Sequence, residues 1–177
     1  MLSDEEIFNL IAEKLPKKNI LTILDVGCGD ASFSVLFAKK LNAKVYGIDA
    51  LQFMVNIGIE NVYKHGLSEL VSCLHQNAES LKFDNNYFDV VVAVRVFHEL
   101  IQPSRAVEEI YRVLKSDGLL VIVDWDKNAN TGVPEHYYSI EEIADYLKEK
   151  FSIFEVYQKN DLNFIFAKPK HKSDQLN

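Results

Sequence analysis

The chain has 177 residues, of which 48% are hydrophobic and 25% charged, and this composition predicts one globular domain with a full core. Its 26 acidic residues outnumber 19 scattered basic ones, for a net charge of −7, which disfavours nucleic acid as a partner. Two cysteines without a metal or disulfide pattern, and apolar runs too short to span a membrane, predict a cytoplasmic protein without a metal site.

The first half of the chain alternates between helix-like and strand-like periods. Ser3 to Glu6 fits a capping box that starts a helix, and Pro16 ends it. Two helix-length segments, 31–41 and 51–65, then separate three strand-like runs, which read NILTILDV, AKVYGID and LVSCLHQ. This alternation predicts a parallel sheet built by helical crossovers.

The second half continues the alternation and then changes. YFDVVVAV reads as a strand buried on both faces, 103–115 as a helix and GLLVIVDW as a fifth strand. A capped helix starts at Ser139, and two strands flank a turn at 159–161, which predicts a final antiparallel hairpin. We expect one α/β domain over residues 1–168 and a polar tail over 169–177.

Two glycines mark a candidate ligand site. Gly27 and Gly29 lie where the first core strand turns into a helix, at the sheet edge where ligands bind in open α/β folds. Asp49 ends the next strand 20 residues later, at the spacing that suits a carboxylate binding ribose hydroxyls. Alternatively, the glycines only allow a tight turn and Asp49 only caps the next helix. The combination favours a nucleoside-containing cofactor.

The residues around the glycines separate two classes of cofactor. The dinucleotide fingerprint requires a third glycine where this chain has Ser32. Asp25, just before the glycines, would repel a pyrophosphate and suits a ligand that carries an ammonium group. A nicotinamide-dependent oxidoreductase is therefore the weaker alternative.

Four motifs carry a family resemblance. LDVGCGDASFS resembles the first motif of the class I S-adenosylmethionine-dependent methyltransferases, and VYGID resembles their second-strand motif. The similarity continues through NAESLKFDNNYFDVVVAVRVFHEL and AVEEIYRVLKSDGLLVIVDW, and so covers Leu24 to Trp125. The following segment, VDWDKNANTGVPEHYYSIEEIADYL, is similar to the ubiquinone/menaquinone-biosynthesis type.

The resemblance implies a fold, a cofactor and site residues. The fold would be a Rossmann-like three-layer sandwich, with a seven-stranded, mostly parallel sheet and an antiparallel last strand. The cofactor would be S-adenosylmethionine. Its methionine part would face Asp25, Gly27 and Gly29, its ribose Asp49, its adenine Ala50, Leu51, Asn77, Ala78 and Glu79, and its reacting centre Val94 and Arg95. Ala31 and Asn77 depart from the glycine and aspartate that many members of the family have there.

His98 is the candidate catalytic residue. A sulfonium is a good leaving group, so aligning the acceptor is the main task, and a general base serves only where the acceptor must lose a proton. His98 follows the fourth strand at the mouth of the site, although a helix-end or packing role is the slightly favoured alternative. Glu99 and Asp124 are weaker candidates, and Arg95 would pair with Glu99 or bind an acidic group of the acceptor.

The acceptor itself is not defined by these motifs. The chain has no segment long enough for a lid domain, so we expect an open acceptor side. An open side suits a large acceptor such as a protein or a lipid-like molecule, or a homodimer or partner subunit that completes the pocket. A small acceptor covered by the N-terminal helix is the alternative, and the leading prediction is methyl transfer to a small or medium-sized acceptor. A non-catalytic, cofactor-binding or scaffolding subunit is the alternative function. Four aromatic residues either line the acceptor pocket or belong to the core: Phe97, Trp125, Tyr137 and Tyr138.

Overall fold

The computed structural model of the chain describes residues 1–19 and 21–170. Helices and strands alternate along most of it. In chain order the elements are α1 (Asp4–Ala12), β1 (Thr22–Val26), α2 (Ser32–Leu41), β2 (Lys44–Asp49), α3 (Gln52–Lys64), β3 (Val71–His75), β4 (Phe88–Val94), a 3₁₀ turn (Phe97–Glu99), α4 (Pro103–Val113), β5 (Leu114–Trp125), α5 (Ile140–Leu147), β6 (Phe151–Lys159) and β7 (Leu162–Pro169).

All strands of the described residues form one seven-stranded sheet in the order β3-β2-β1-β4-β5-β7-β6. The pairs among β1 to β5 are parallel, whereas β7 is antiparallel to both β5 and β6. The predicted α/β sheet with an antiparallel last strand is therefore confirmed. The strand order places β1 between β2 and β4, so their carboxyl ends meet at one edge of the sheet.

Helices cover both faces of the sheet. One apolar cluster joins α1, α2 and α3 to one face, and a second joins α4 and α5 to the other. Strand β4 serves both, since Val90 and Val92 belong to the first cluster and Val91 and Ala93 to the second. This alternation explains the unbroken apolar run of β4, and it yields the predicted three-layer arrangement.

Local signals in the sequence form as expected. Ser3 with Glu6, and Ser139 with Glu142, make complete capping boxes at the starts of α1 and α5. The β6–β7 turn has positive φ at Asn160 and Asp161, the conformation that a two-residue hairpin requires.

Two boundaries differ from the sequence-based expectation. Helix α4 ends at Val113 instead of 115, because Leu114 already pairs with Phe88 as the first residue of β5. Strand β7 includes Pro169, and the backbone N–H of Lys170 donates to Lys150, so the first two residues of the expected tail belong to the fold. Residues 171–177 lie outside the described part, and the 1–168 domain boundary stays a prediction.

None of the helices within residues 1–19 and 21–170 combines the length and apolar content needed to cross a bilayer.

Candidate active site

A cleft of about 390 Å³ opens at the carboxyl ends of β1, β2, β3 and β4. Nine of the eleven predicted cofactor-binding residues line it. They are Gly27, Gly29, Asp49, Ala50, Leu51, Asn77, Ala78, Glu79 and Arg95. The two that do not line it are Asp25 and Val94, which the fold buries.

The glycine turn at the end of β1 forms one wall of the cleft. Gly27 and Gly29 both have positive φ, and a Cβ at Gly27 would lie 2.2 Å from Cγ2 of Val96. A side chain at position 27 would therefore collide with Val96, so the packing of the chain itself requires a glycine there. At Gly29 a Cβ would meet only Met54, at 3.4 Å, so the backbone of that residue is open to a ligand.

Asp49 ties the glycine turn to the start of α3. Its Oδ2 accepts a hydrogen bond from the backbone N–H of Gly29 at 3.0 Å, and its Oδ1 accepts one from Leu51 at 2.8 Å. Each carboxylate oxygen has a second acceptor site, which leaves capacity for hydroxyl groups of a ligand. The alternative capping role and the predicted ribose role are thus compatible in this geometry.

Asp25 lies behind the glycine turn instead of facing the cleft. It is 2% exposed, and the hydroxyl of Ser34 in α2 donates to its Oδ2 at 2.6 Å. Burial raises the pKa of this carboxyl to about 7, against the lowering effect of the Ser34 hydrogen bonds. Asp25 does not line the cleft, because β1 turns its side chain toward α2, and its contact with the methionine part of the cofactor stays a prediction.

The predicted adenine end is held by polar contacts within the chain. The side-chain carbonyl of Asn77 accepts from the backbone N–H of Glu79 at 2.9 Å. Glu79 in turn accepts from the backbone N–H of Gln102 at 2.7 Å, which fixes the start of α4 against the cleft. Nε2 of His75 donates to the carbonyl of Ala50 at 3.0 Å. These contacts give the cleft a preformed wall.

Arg95 has a different partner from the one expected. Its guanidinium donates to Oδ1 of Asp4 at 3.2 Å and to the carbonyl of Leu2 at 3.4 Å, and it lies over the ring of Trp125. The predicted pairing with Glu99 is therefore wrong. Arg95 also has a φ of +58°, a strained value for a residue with a side chain. Through these hydrogen bonds Arg95 links the start of α1 to the loop after β4, beside the cleft.

His98 lies in the 3₁₀ turn after β4, with its side chain 5% exposed. Its Nδ1 is 2.7 Å from Oδ1 of Asp124, and its backbone N–H donates to Oδ2 of that residue. Nε2 lies 3.4 Å from Glu135 and 3.8 Å from Glu99, which lines the cleft. Burial lowers the pKa of His98, but the hydrogen bond and charge of Asp124, with the charges of Glu99 and Glu135, outweigh it and raise that pKa.

The same network has the spacing of a three-ligand cation site. One ligand atom each of His98, Glu99 and Glu135 lie within 4.8 Å of one another. Both glutamates are exposed, however, and the three groups equally form a charged network around an imidazole. The absence of a metal site stays a prediction.

Of the aromatic residues that the sequence left between pocket and core, Phe97 is fully buried and packs against Tyr138. Tyr137 packs on the ring of His98 at 4.8 Å. Several lining residues on the apolar side of the cleft were not predicted from the sequence, although each follows a predicted site residue by a few positions. These are Phe53, Met54, Val96, Leu100 and Ile101.

The profile of a methyltransferase domain family matches residues 24–122, more than half of the chain. The chain belongs to this methyltransferase family. The resemblance predicted from its motifs is thereby confirmed.

Curated relatives extend the likeness. The chain is 37% identical over 106 residues to a demethylmenaquinone methyltransferase of Bacteroides fragilis, covering 58% of this chain and 42% of the relative. It is 32% identical over 121 residues to a ubiquinone/menaquinone biosynthesis C-methyltransferase of Allorhizobium ampelinum, covering 67% and 47%. The chain thus spans less than half the length of these relatives.

Solved structures share the fold. A SAM-dependent methyltransferase from Aquifex aeolicus is 26% identical, with a TM-score of 0.82 over 96% of this chain and 100% of that chain. The [4+2]-cyclase SpnF has a TM-score of 0.84 at 22% identity, over 94% and 81%, and shows the fold alone.

The family and the fold imply S-adenosylmethionine as the cofactor, and the residues of the cleft fit it. The glycine turn leaves backbone open at Gly29, Asp49 keeps acceptor capacity, and apolar side chains line the opposite wall. An apolar wall with a few fixed polar groups suits a ligand that combines a flat ring with polar ends.

Proposed function

We propose that this chain transfers a methyl group from S-adenosylmethionine to a small, lipid-like acceptor that carries an aromatic hydroxyl, as a quinol does. One observation carries the proposal: in a chain of the methyltransferase family, the glycine turn and Asp49 line a cleft beside which His98 is held by Asp124. The names of the curated relatives support a quinol-type acceptor.

The roles within the cleft follow its geometry. When bound, S-adenosylmethionine supplies a methyl group on a sulfonium whose sulfur leaves as a neutral thioether. Gly27 and Gly29 give close backbone approach, Asp49 accepts from the ribose hydroxyls, and the residues from Ala50 to Leu51 and from Asn77 to Glu79 surround the adenine. Asp25 and Val94 support these elements from behind.

His98 is the proposed proton acceptor for the hydroxyl of the acceptor. Its Nε2 is the ring nitrogen that Asp124 leaves free, and it lies 3.8 Å from Glu99, which lines the cleft. A hydroxyl that loses its proton near the transition state becomes the stronger nucleophile, and a positioned base contributes to that step.

The rim of the cleft supports a lipid-like acceptor. Phe53 and Ile101 line the cleft and are more than half exposed, at 59% and 84%. Large apolar side chains that gather around one opening mark a binding site for apolar ligands.

The test is methyl transfer from isotopically labelled S-adenosylmethionine to a panel of quinols and simple phenols, followed by mass spectrometry of the product. We expect labelled product with at least one quinol and none when the protein is omitted. Cofactor binding without product on any acceptor of the panel would contradict the proposal and favour the non-catalytic subunit.

The predicted homodimer or partner subunit belongs to the same proposal. The edge strand β6 leaves Phe154 and Val156 about half exposed, which supports contact with a second chain. Sedimentation of the purified protein tests it, since a monomer at all concentrations would remove the homodimer. A cytoplasmic location is likewise proposed, and Cys28 and Cys73, both buried and free of a disulfide, agree with it.

A further inference from the structure

The carboxylate of Asp124 binds His98 through two hydrogen bonds. Asp124 lies one residue before the end of β5, and its side chain is 1% exposed. It accepts hydrogen bonds from both the ring Nδ1 and the backbone N–H of His98, at 2.7 and 2.8 Å. The backbone N–H of Trp125 also donates to its Oδ1. With three donors on one carboxylate, both the position and the plane of the imidazole are set by Asp124.

This contact decides which ring nitrogen can take a proton. A carboxylate only accepts, so Nδ1 of His98 carries the hydrogen of the 2.7 Å bond with Asp124. In the neutral ring, Nε2 then holds the free lone pair. Without Asp124, the ring would distribute its hydrogen between the two nitrogens, and part of the population would present the wrong one.

A second carboxylate lies against that free nitrogen. Oε2 of Glu135 is 3.4 Å from Nε2, and the hydroxyl of Tyr137 donates to the same oxygen at 2.9 Å. Thr131 holds Tyr137 in turn through a 2.8 Å hydroxyl contact. Glu135 and Tyr137 belong to the segment between β5 and α5, and no element of regular structure contains them. An oxygen of Glu135 thus lies within reach of Nε2, where the hydroxyl oxygen of an acceptor would have to lie.

We propose that Asp124 is a positioning residue that fixes Nε2 of His98 as the proton acceptor, and that Glu135 occupies the place of the acceptor hydroxyl until the acceptor displaces it. This inference rests on the proposed function and adds to it the two residues that control His98. It also requires the acceptor to present an oxygen at Nε2.

The proton balance of the step is simple. The O–H bond of the acceptor breaks, its electron pair stays on the acceptor, and the proton moves to Nε2 of neutral His98. The resulting imidazolium is stabilised by Asp124, whose carboxylate remains ionised. While Glu135 lies at Nε2, its charge favours the protonated ring, and its displacement frees the lone pair.

Four groups from three segments face the imidazole: Asp124 from β5, Glu99 from the 3₁₀ turn, and Glu135 and the ring of Tyr137 from the segment before α5. The three carboxylates all raise the pKa of His98. Removing the charge of Glu135 therefore lowers that pKa, and removing the charge and hydrogen bond of Asp124 lowers it further.

The test is ¹⁵N NMR of the histidine ring nitrogens in the free protein, without cofactor or acceptor. The chain has five histidines, and the signals of His98 are assigned by their loss in His98→Gln. In the wild type we expect a pKa above the ordinary value and, after deprotonation, a hydrogen on Nδ1. Glu135→Gln should lower the pKa and keep this tautomer. Asp124→Asn should lower the pKa further and give a mixture of tautomers.

The control is Glu141→Gln, which removes a charge from α5 that does not face His98, and it should leave both readouts unchanged. An unchanged pKa in Glu135→Gln, or an unchanged tautomer in a folded Asp124→Asn, would overturn the inference. Broadening of the His98 signals by micromolar Mn²⁺ would also overturn it, because the network would then be a metal site. If Asp124→Asn fails to fold, Glu135→Gln still decides.

These measurements do not require turnover, so a failure of the proposed function and a failure of this inference are distinguishable. Where methyl transfer is detected, Glu135→Gln should move the acid limb of the pH–rate profile to lower pH. A purely structural role of Glu135 would leave that limb in place.

Discussion

The side chain of Asp49 both stabilises the glycine turn and lines the cleft. Its carboxylate holds the backbone N–H groups of Gly29 and Leu51, and it faces the cleft with acceptor sites left over. Asp49→Ala should weaken S-adenosylmethionine binding by roughly 1.5 to 3 kcal/mol or more, because charge-assisted hydrogen bonds are lost. Titration calorimetry of the folded variant measures this loss of binding free energy. The exposed Asp145→Ala is the control, and a folded Asp49→Ala with unchanged affinity would remove Asp49 from the site.

Asp25 makes stability depend on pH. Its folded-state pKa of about 7 lies above the ordinary value of 3.8, so the folded protein keeps a proton that the unfolded chain loses. Wild-type stability should therefore fall as the pH rises from about 4 to 7, by up to about 4 kcal/mol. Asp25→Asn should flatten this dependence and be the more stable protein at pH 8. Urea unfolding across this pH range tests it, and parallel curves for the two proteins would refute it.

At the level of single residues, the sequence could predict what lies close along the chain. The glycines and Asp49 follow from strand ends and spacing. The Asp124–His98 contact could not be predicted in the same way, because it depends on the register that pairs Val94 of β4 with Val123 of β5. The burial of Asp25 depends on how α2 places Ser34, which periodicity does not define.

The buried side-chain amide of Asn163 links the two ends of the segment between β5 and α5. Nδ2 of Asn163 donates to Oδ2 of Asp126 at 3.3 Å and to the carbonyl of Tyr138 at 3.1 Å, so it joins the two ends of the segment. Asn163→Ala should lower the free energy of unfolding by roughly 1 to 3 kcal/mol, since a buried carbonyl and carboxylate lose a donor. It should also speed hydrogen exchange in residues 127–137.

The matched control is Asn128→Ala, which removes a donor to the same carboxylate without touching Tyr138. Faster exchange in both variants alike would contradict a special role of Asn163.

At the level of elements, capping and turn chemistry predicted the starts of α1 and α5 and the β6–β7 turn, because those signals are local. The helix end predicted from the sequence, at residue 115, lies two residues beyond the observed end of α4 at Val113. The pairing of Leu114 with Phe88 ends that helix, and a contact between residues so far apart leaves no trace in local periodicity.

For the whole molecule, the alternation of strands and helices was enough to predict the sheet, and the sheet is enough to place the cofactor edge. The acceptor side was not predictable, because it is formed by segments without regular structure whose contacts are long-range. The link from Arg95 to Asp4 is an example, since it joins residues 91 positions apart.

The apolar rim allows a test of the acceptor class. Ile101→Asp should raise the KM for a long-chain quinol by roughly tenfold or more while leaving a short-chain quinol nearly unaffected, because burying an apolar side chain of this size is worth about 1.5 to 3 kcal/mol. Ile59→Asp, an exposed change on α3 outside the cleft, is the control. Equal effects of Ile101→Asp on both quinols would argue against an apolar acceptor tail at this rim.

We expect the cleft at the carboxyl ends of β1 to β4 to bind S-adenosylmethionine. Calorimetric titration of the purified protein with S-adenosylmethionine, S-adenosylhomocysteine and NAD tests it most directly. We expect micromolar binding of the first two and no heat from NAD. Binding of NAD, or no binding of the first two by folded protein, would contradict it.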